Sequence, residues 1–299
     1  MNESKKKQAA ESARFTKTRL SDRKLQVKSL TRVISFTGGK GGTGKTSVVA
    51  NLAVALADLG KSVLILDADL GLANVDIILG LKPRYTLQEL FAGNKTLDQI
   101  IIDGPNGISL IPAASGVKSI CNLSTEEKLL LVDAIEEVAY RYDYLLIDTR
   151  AGIDPEVMYF NSSSGEIVCI INPEPTSLTD TYAVIKVLSR DYGEKEFSVV
   201  VNNTPSEAQG KRAFQKLASA VSQYLNVETR LLGCIPSDPA LPRSVQQQQA
   251  LNLLYPSSPA ALAISELARE IDSQFHQYRI KGGMQFFFKQ LLEVGTYGG

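Results

Sequence analysis

The chain has 299 residues, enough for one large α/β domain or two small ones, and its 44% apolar and 21% charged content is typical of a globular protein. Lys plus Arg and Asp plus Glu both number 32, so the overall charge indicates no particular partner, although residues 1–32 hold ten bases against three acids, a net charge of +7. The three cysteines are widely spaced, and no apolar run approaches the roughly 18 residues of a membrane span, which excludes a disulfide framework, a zinc site and a transmembrane helix.

From Thr31 onward, short apolar segments alternate with amphipathic segments of helical length. This alternation predicts βαβ units, and therefore an α/β fold with a doubly wound, mostly parallel sheet flanked by helices on both faces. The predicted strands are Arg32–Thr37, Ser62–Leu66, Ile108–Pro112, Tyr144–Asp148, Glu166–Ile171, Phe197–Asn202 and Leu231–Ile235. The predicted helices are Lys45–Leu59, Thr125–Tyr140, Asp180–Tyr192, Glu207–Tyr224 and Pro259–Tyr278. We expect three parts: a basic, flexible extension over residues 1–30, a globular domain over 31–280 and an amphipathic tail over 281–299.

A glycine-rich segment, G-G-K-G-G-T-G-K-T over residues 38–46, joins the first strand to the first helix. It contains the pattern G-x-x-x-x-G-K-[ST], in which glycines let backbone N–H groups face phosphates and the helix N-terminus adds its dipole. Lys45 is placed to reach the β- and γ-phosphates, and the Thr46 hydroxyl to ligate Mg²⁺. The segment therefore predicts ATP bound with Mg²⁺. The predicted ATP contacts in it are Gly39, Lys40, Gly41, Gly42, Thr43, Gly44, Lys45, Thr46 and Ser47.

Carboxylates follow two of the predicted strands at the edge where parallel sheets bind ligands. Asp67 and Asp69 end the second strand, and strand alternation predicts that they point the same way. One of them can hold Mg²⁺ or its waters while the other orients the attacking water, although an Asp-rich turn is the alternative. Asp148 ends the apolar strand Tyr144–Asp148 and is predicted to bind Mg²⁺ through water.

Two further polar residues lie at the same predicted edge. Asn202 follows an apolar strand, and its amide can donate to and accept from a purine, although two successive asparagines are equally typical of a turn. Lys40 lies at the start of the glycine-rich loop, where it can contact phosphate or remain solvated. Spacing alone leaves both alternatives open.

The segment K-G-G-T-G-K-T resembles the deviant Walker A motif of the MinD/ParA family, and D-x-D-x-G-x-x-N-x-D over residues 67–76 resembles its switch I. The resemblance implies a P-loop NTPase fold and an ATP-driven homodimer in which Lys40 reaches the partner's nucleotide. It implies a weak ATP hydrolase, stimulated by a partner or a membrane, with Asp69 as the hydrolytic residue and Asp67 in the Mg²⁺ shell. It also implies that Asn202 and Pro236, the latter in I-P-S-D, contact adenine.

One residue departs from the family pattern. Relatives carry D-x-P-A-G or D-T-G-A-G after the strand that ends at Asp148, whereas this chain reads Asp148-Thr149-Arg150-Ala151-Gly152. A bulky cation there can contact phosphate, pair with an acid or disturb the loop. The sequence does not choose among the three.

A second set of segments resembles one branch of the family. The stretch 172–183, N-P-E-P-T-S-L-T-D-T-Y-A, is similar to the FlhG branch (also called FleN or YlxH), which controls flagellar number and placement. This resemblance implies flagellar partners such as the GTPase FlhF, C-ring proteins or flagellar regulators. The D-Q-A-x-x-L motif through which that branch stimulates FlhF keeps only Gln8 and Ala9 here, so residues 1–30 are interpreted as a basic arm that can touch anionic lipid.

The C-terminal tail has an amphipathic pattern. Met284, Phe287, Phe288 and Leu291 share one helical face, which together with the resemblance predicts a membrane-targeting helix that binds anionic lipid. Docking on the chain's own domain is the alternative. The expected location is the cytoplasm, with peripheral attachment to the inner face of the cytoplasmic membrane. Two other functions stay open: a ParA-type ATPase that partitions DNA or cargo, for which DNA is the less expected ligand because the tail would be unexplained, and a nucleotide-sensing module with little hydrolysis.

Overall fold

The computed structural model describes residues 31–69, 74–112 and 124–273. These residues form an eight-stranded sheet in the order β3-β4-β2-β5-β1-β6-β7-β8. Every neighbouring pair is parallel except β3 and β4, and helices flank the sheet, so the predicted doubly wound α/β fold is confirmed. The predicted extension over 1–30 and the tail over 281–299 lie outside the described residues, and the three-part division stays a prediction.

The elements follow the apolar pattern of the sequence. The strands are β1 (Arg32–Thr37), β2 (Val63–Ala68), β3 (Ile102–Asp103), β4 (Ser109–Ile111), β5 (Tyr144–Thr149), β6 (Glu166–Ile171), β7 (Glu196–Thr204) and β8 (Glu228–Pro236). The helices are α1 (Lys45–Asp58), α2 (Val75–Leu79), α3 (Leu87–Phe91), α4 (Leu97–Ile100), α5 (Thr125–Ala139), α6 (Pro155–Ser163), α7 (Pro175–Asp191), α8 (Glu207–Tyr224), α9 (Ala240–Gln246), α10 (Leu251–Leu254) and α11 (Pro259–Ser273).

The centre of the sheet is its most buried part. All six residues of β1, β2 and β5 are buried, as expected for parallel strands covered by helices on both faces. Helix α1 follows β1 and packs against α11, and ten of its fourteen residues are buried. The glycine-rich segment therefore connects the most central strand to the most enclosed of the long helices.

The sheet's two borders differ. At one border, β3 adds two residues antiparallel to β4. At the other, β8 pairs with β7 through two register shifts, one between Val199 and Val200 and one between Val201 and Thr204. Helices α8 and α11 pack against β8.

Several helices differ from the predicted pattern, and the short helices α2, α3, α4, α9 and α10 were not predicted. Helix α7 begins at Pro175 rather than Asp180, because proline is well tolerated at the first helical position, where its missing N–H has no intrahelical partner. Helix α6 was not predicted. Its buried residues include polar Asn161 and Ser163, and this mixture weakens the apolar periodicity by which a helix is recognised.

The amino-terminal edge of the sheet is tied together by a buried arginine. Arg32, 3% exposed, donates from Nη2 to Glu166 at 2.6 Å and from its other nitrogens to Glu166 and to the backbone oxygen of Ile271. The Tyr144 hydroxyl donates to Asp272 at 2.8 Å beside it. These contacts join β1, β5 and β6 to the end of α11, so the last described helix is held at the edge opposite the glycine-rich loop.

We expect Arg32→Met to lower the free energy of unfolding by roughly 3 kcal/mol or more, because it leaves the Glu166 carboxylate buried without its cation. The double variant Arg32→Met/Glu166→Met should recover most of that loss, since no buried charge remains. Urea unfolding followed by circular dichroism measures both. Arg141→Met, which breaks an exposed pair with Asp98, is the control and should leave the midpoint unchanged. A double variant no more stable than the single one contradicts this account.

Candidate nucleotide-binding site

The glycine-rich loop has the shape of a phosphate cradle. Gly42 and Gly44 have φ angles of 80° and 82°, which side-chain-bearing residues rarely adopt. A Cβ added at Gly41 or Gly42 would meet no atom within 4 Å, so open space lies beside this part of the backbone. Helix α1 begins at Lys45, and its first N–H groups adjoin that space. The loop therefore fits an anion of phosphate size.

Two close approaches hold the loop in place. A Cβ at Gly39 would lie 2.0 Å from the backbone carbon of Asp180, and the Gly39 N–H donates to the Thr181 hydroxyl at 3.3 Å. A Cβ at Gly44 would lie 2.4 Å from Nδ2 of Asn202. The loop is thus clamped between α7 and the end of β7, and only glycine fits at these two positions.

Beneath the loop lies a buried cluster of three charged side chains. Lys45 Nζ donates to Asp148 Oδ1 at 2.8 Å, and both side chains are almost wholly buried. The parallel register of β2 and β5 places Asp67 directly beside Asp148. Burial, and secondly the charge of Asp148, raise the pKa of Asp67 to about 7. The cluster holds two carboxylates and one ammonium group, an arrangement that a further cation would stabilise.

Asp67 also organises the chain that follows β2. Its Oδ1 accepts from the Asp69 N–H at 3.1 Å, and its Oδ2 accepts from the N–H groups of Asn74 and Val75 at 3.1 and 3.2 Å. These bonds oppose the rise in its pKa. Strand β2 ends at Ala68, so Asp69 lies in the following loop. Strand alternation therefore does not apply to Asp69, and the shared direction of Asp67 and Asp69 stays a prediction.

The donor set suits the magnesium ion of a nucleotide. Thr46 is the second residue of α1 and directly follows Lys45, whose Nζ donates to the buried Asp148. Within residues 31–69, 74–112 and 124–273, no group of three or more His, Cys, Asp or Glu side chains is arranged to hold a metal. Mg²⁺ usually keeps several waters and takes one or two carboxylates together with substrate phosphates. One hydroxyl and two carboxylates beside a phosphate cradle match that preference better than an all-protein cage does.

The candidate base contacts lie towards the carboxyl ends of β7 and β8. Asn202 is buried and donates from Nδ2 to the Thr43 backbone oxygen at 2.8 Å, while its Oδ1 has no hydrogen-bond partner in the described part of the chain. Pro236 ends β8 in register with Thr204, and the next residue, Ser237, donates its N–H to the Thr204 oxygen at 2.8 Å. An accepting amide oxygen at this position fits the amino group of adenine.

Lys40 lies at the rim of the loop and is exposed. Its Nζ is 3.3 Å from Glu174 Oε2 and 3.4 Å from the Thr176 hydroxyl, both at the start of α7. Sequence reasoning assigned no role to Glu174, Thr176 or Thr181, although all three follow the carboxyl end of β6, where ligand contacts are expected. That position in the chain was the signal that could have identified them.

The predicted membrane contacts lie elsewhere. Met284, Phe287, Phe288 and Leu291 fall outside the described residues. Among the helices that the structure describes, none is both long and apolar enough to cross a bilayer. The structure therefore brings together the predicted ATP and Mg²⁺ residues of the domain and leaves the tail as a prediction.

Comparisons with known proteins agree with this geometry. Residues 31–193 match the family model described as an AAA domain. The chain is 41% identical over 267 residues to antiactivator FleN of Pseudomonas aeruginosa, covering 89% of this chain and 95% of that protein. It is 32% identical to the flagellum site-determining protein YlxH of Helicobacter pylori over 270 residues, covering 89% and 91%.

A solved structure supports the same assignment. The septum site-determining protein MinD from Pyrococcus horikoshii, complexed with Mg-ADP, superposes with a TM-score of 0.65 at 30% identity, covering 83% of this chain and 98% of that one. The resemblance of the glycine-rich loop to the deviant Walker A motif is thus matched by likeness over most of the chain. The chain belongs to the MinD/ParA family of P-loop ATPases.

Proposed function

We propose that this chain is an ATP-dependent switch that regulates the number or position of flagella. The observation that carries the ATPase part is the buried cluster of Lys45, Asp148 and Asp67 beneath an open phosphate cradle. The flagellar part rests on the relatives, because FleN is named an antiactivator and YlxH a flagellum site-determining protein.

Each side chain of the cluster has a defined task in this proposal. Lys45 moves its ammonium group from Asp148 to the β- and γ-phosphates of ATP. Asp148 and Asp67 then hold Mg²⁺ directly or through water, together with the Thr46 hydroxyl. Bound Mg²⁺ neutralises charge on the phosphates. Asp69, in the loop that Asp67 anchors, orients the attacking water, and hydrolysis stays weak until a partner or a membrane stimulates it.

The residues that contact the base select the nucleotide. The Asn202 Oδ1, which has no hydrogen-bond partner among the described residues, accepts from the amino group of adenine, and Pro236 borders the ring from the end of β8. Gly39, whose N–H donates to Thr181, borders the phosphates, and the backbone N–H groups of Gly41 and Gly42 enclose them together with Thr43, Gly44 and Ser47.

Lys40 links ATP to dimerisation in this proposal. Its side chain is 45% exposed, and its contact with the half-exposed Glu174 costs little to break. It is therefore free to reach the phosphates of a partner subunit's ATP across a sandwich dimer. ADP lacks the γ-phosphate that Lys40 would reach, so the ADP form is a cytoplasmic monomer.

The tail links dimerisation to location. One short amphipathic helix binds a membrane weakly, whereas two copies in a dimer bind jointly and much more tightly. The ATP dimer therefore attaches to anionic lipid on the inner face of the cytoplasmic membrane through the face that carries Phe287 and Phe288. There it meets flagellar partners such as FlhF, C-ring proteins or transcriptional regulators.

Substitutions in the cluster should separate binding from hydrolysis. We expect Asp69→Ala to bind ATP, to lose phosphate release and to accumulate as a dimer, because the water is no longer oriented. Lys45→Ala should lose ATP binding, and Lys40→Ala should bind ATP yet stay monomeric. Light scattering with and without ATP, beside a phosphate-release assay, measures all three. An Asp69→Ala protein that binds ATP but remains monomeric contradicts the switch. Wild-type release that stays undetectable even with anionic vesicles, while dimerisation is normal, points instead to a nucleotide-sensing module.

Substitutions in the tail test the membrane step. We expect Phe287→Glu/Phe288→Glu to abolish ATP-dependent sedimentation with vesicles that contain anionic lipid, because two charges enter the apolar face. Gln285→Glu/Gln290→Glu adds the same charge to the polar side and is the matched control, so it should keep most of the binding. Retention on plasmid DNA, with vesicle binding absent in the wild type, supports a ParA-type partitioning protein and contradicts the lipid step.

A further inference from the structure

An exposed arginine follows the most buried carboxylate of the site. Arg150 comes two residues after Asp148, and the intervening Thr149 is fully buried. The Thr149 hydroxyl donates to the backbone oxygen of Phe36, the residue two before the glycine-rich loop, at 2.8 Å. The backbone of Arg150 is therefore fixed beside that loop, while its side chain extends into solvent.

The chain after Arg150 is also held against the glycine-rich loop. The Gly152 N–H donates to the backbone oxygen of Gly38, the first residue of the glycine-rich loop, at 3.0 Å. Gly152 has a φ of 108°, a conformation that glycine adopts without strain and other residues do not. Arg150 thus occupies a short, preorganised turn that leaves β5 and returns to the phosphate cradle.

Both lysines of the site are paired with acids, whereas Arg150 is available for an anion. Lys45 is paired with Asp148, and Lys40 contacts Glu174. The Arg150 side chain, by contrast, makes no ion pair or hydrogen bond with any residue of the described ranges. A guanidinium group binds phosphate through two parallel charge-assisted hydrogen bonds, a geometry that an ammonium group lacks.

We propose that the Arg150 guanidinium binds the terminal phosphate of ATP and thereby makes the site prefer ATP to ADP. This inference rests on the proposed function, since it needs ATP in the cradle. The phosphate belongs either to the nucleotide of the same subunit or to that of a partner copy, and the chemistry of recognition is identical in both. The sequence left three roles for Arg150: contact with phosphate, a pair with an acid, or disturbance of the loop. No acid pairs with it among the described residues. Its side chain is exposed and so does not fill the phosphate cradle.

Calorimetric titration of the full chain tests the proposal. Each protein is titrated with Mg²⁺ and either a non-hydrolysable ATP analogue or ADP. We expect Arg150→Gln to weaken binding of the analogue roughly 10- to 100-fold, the size of a lost hydrogen bond to a charged group, and to change ADP binding less than about twofold. Arg150→Lys should recover part of the loss, because it restores charge without the planar geometry.

A matched control removes the same charge elsewhere. Arg212 is exposed on α8, and Arg212→Gln should bind both nucleotides as the wild type does. Repeating the titrations in a Lys40→Ala background, expected to be monomeric, identifies the source of the phosphate. A loss that persists there assigns it to the same subunit, and a loss that vanishes assigns it to the partner subunit.

The outcomes separate the two proposals. If the wild type binds the analogue and dimerises but Arg150→Gln binds the analogue equally well, or weakens analogue and ADP alike, the inference about Arg150 is overturned and the switch stands. If the wild type binds no ATP analogue, both are overturned. Circular dichroism confirms that each variant is folded before it is compared.

Discussion

Two buried carboxylates beside one buried lysine set the conditions for the rest of this molecule. The register between β2 and β5 makes Asp67 and Asp148 neighbours, and Lys45 can neutralise only one of them. These charges lie at the carboxyl edge of β2 and β5, two strands whose residues are all buried. The same edge receives the phosphate cradle, so the uncompensated charge lies where a magnesium nucleotide would compensate it.

Elements with a strong local signal could be predicted at their observed bounds. Strands β1 and β6 are uninterrupted β-forming runs, and α8 has a clear apolar stripe of Ala213, Leu217 and Val221 ending before β8. Helix α6 was missed because its burial comes from tertiary packing on more than one side. The start of α7 was placed five residues late, because residues 175–179 are mostly polar and the proline that begins the helix gives no apolar periodicity.

The candidate site also has one part that the sequence predicts and another that it does not. The residues of the glycine-rich loop are consecutive in the sequence, so the sequence motif alone predicted a phosphate cradle at the junction of β1 and α1. The contacts that hold it come from far along the chain: Thr181 reaches Gly39 across 142 residues, and Asn202 reaches Thr43 across 159. No local pattern encodes such contacts, which depend on which strands become neighbours. The backbone bonds that Asp67 accepts are short-range by comparison, spanning two, seven and eight residues, but they form in the loop after β2, where the apolar pattern gives no signal.

The two border strands of the sheet affect how readily the protein aggregates at high local concentration. A regular, unpaired strand edge offers its backbone groups to a strand of another molecule and so promotes aggregation. Here one border strand, β3, has only two residues, and the other, β8, is interrupted by two register shifts and packed by helices on its flank. Both are poor templates for a foreign strand. Many copies of this chain can therefore accumulate in a small area while each remains a separate folded unit.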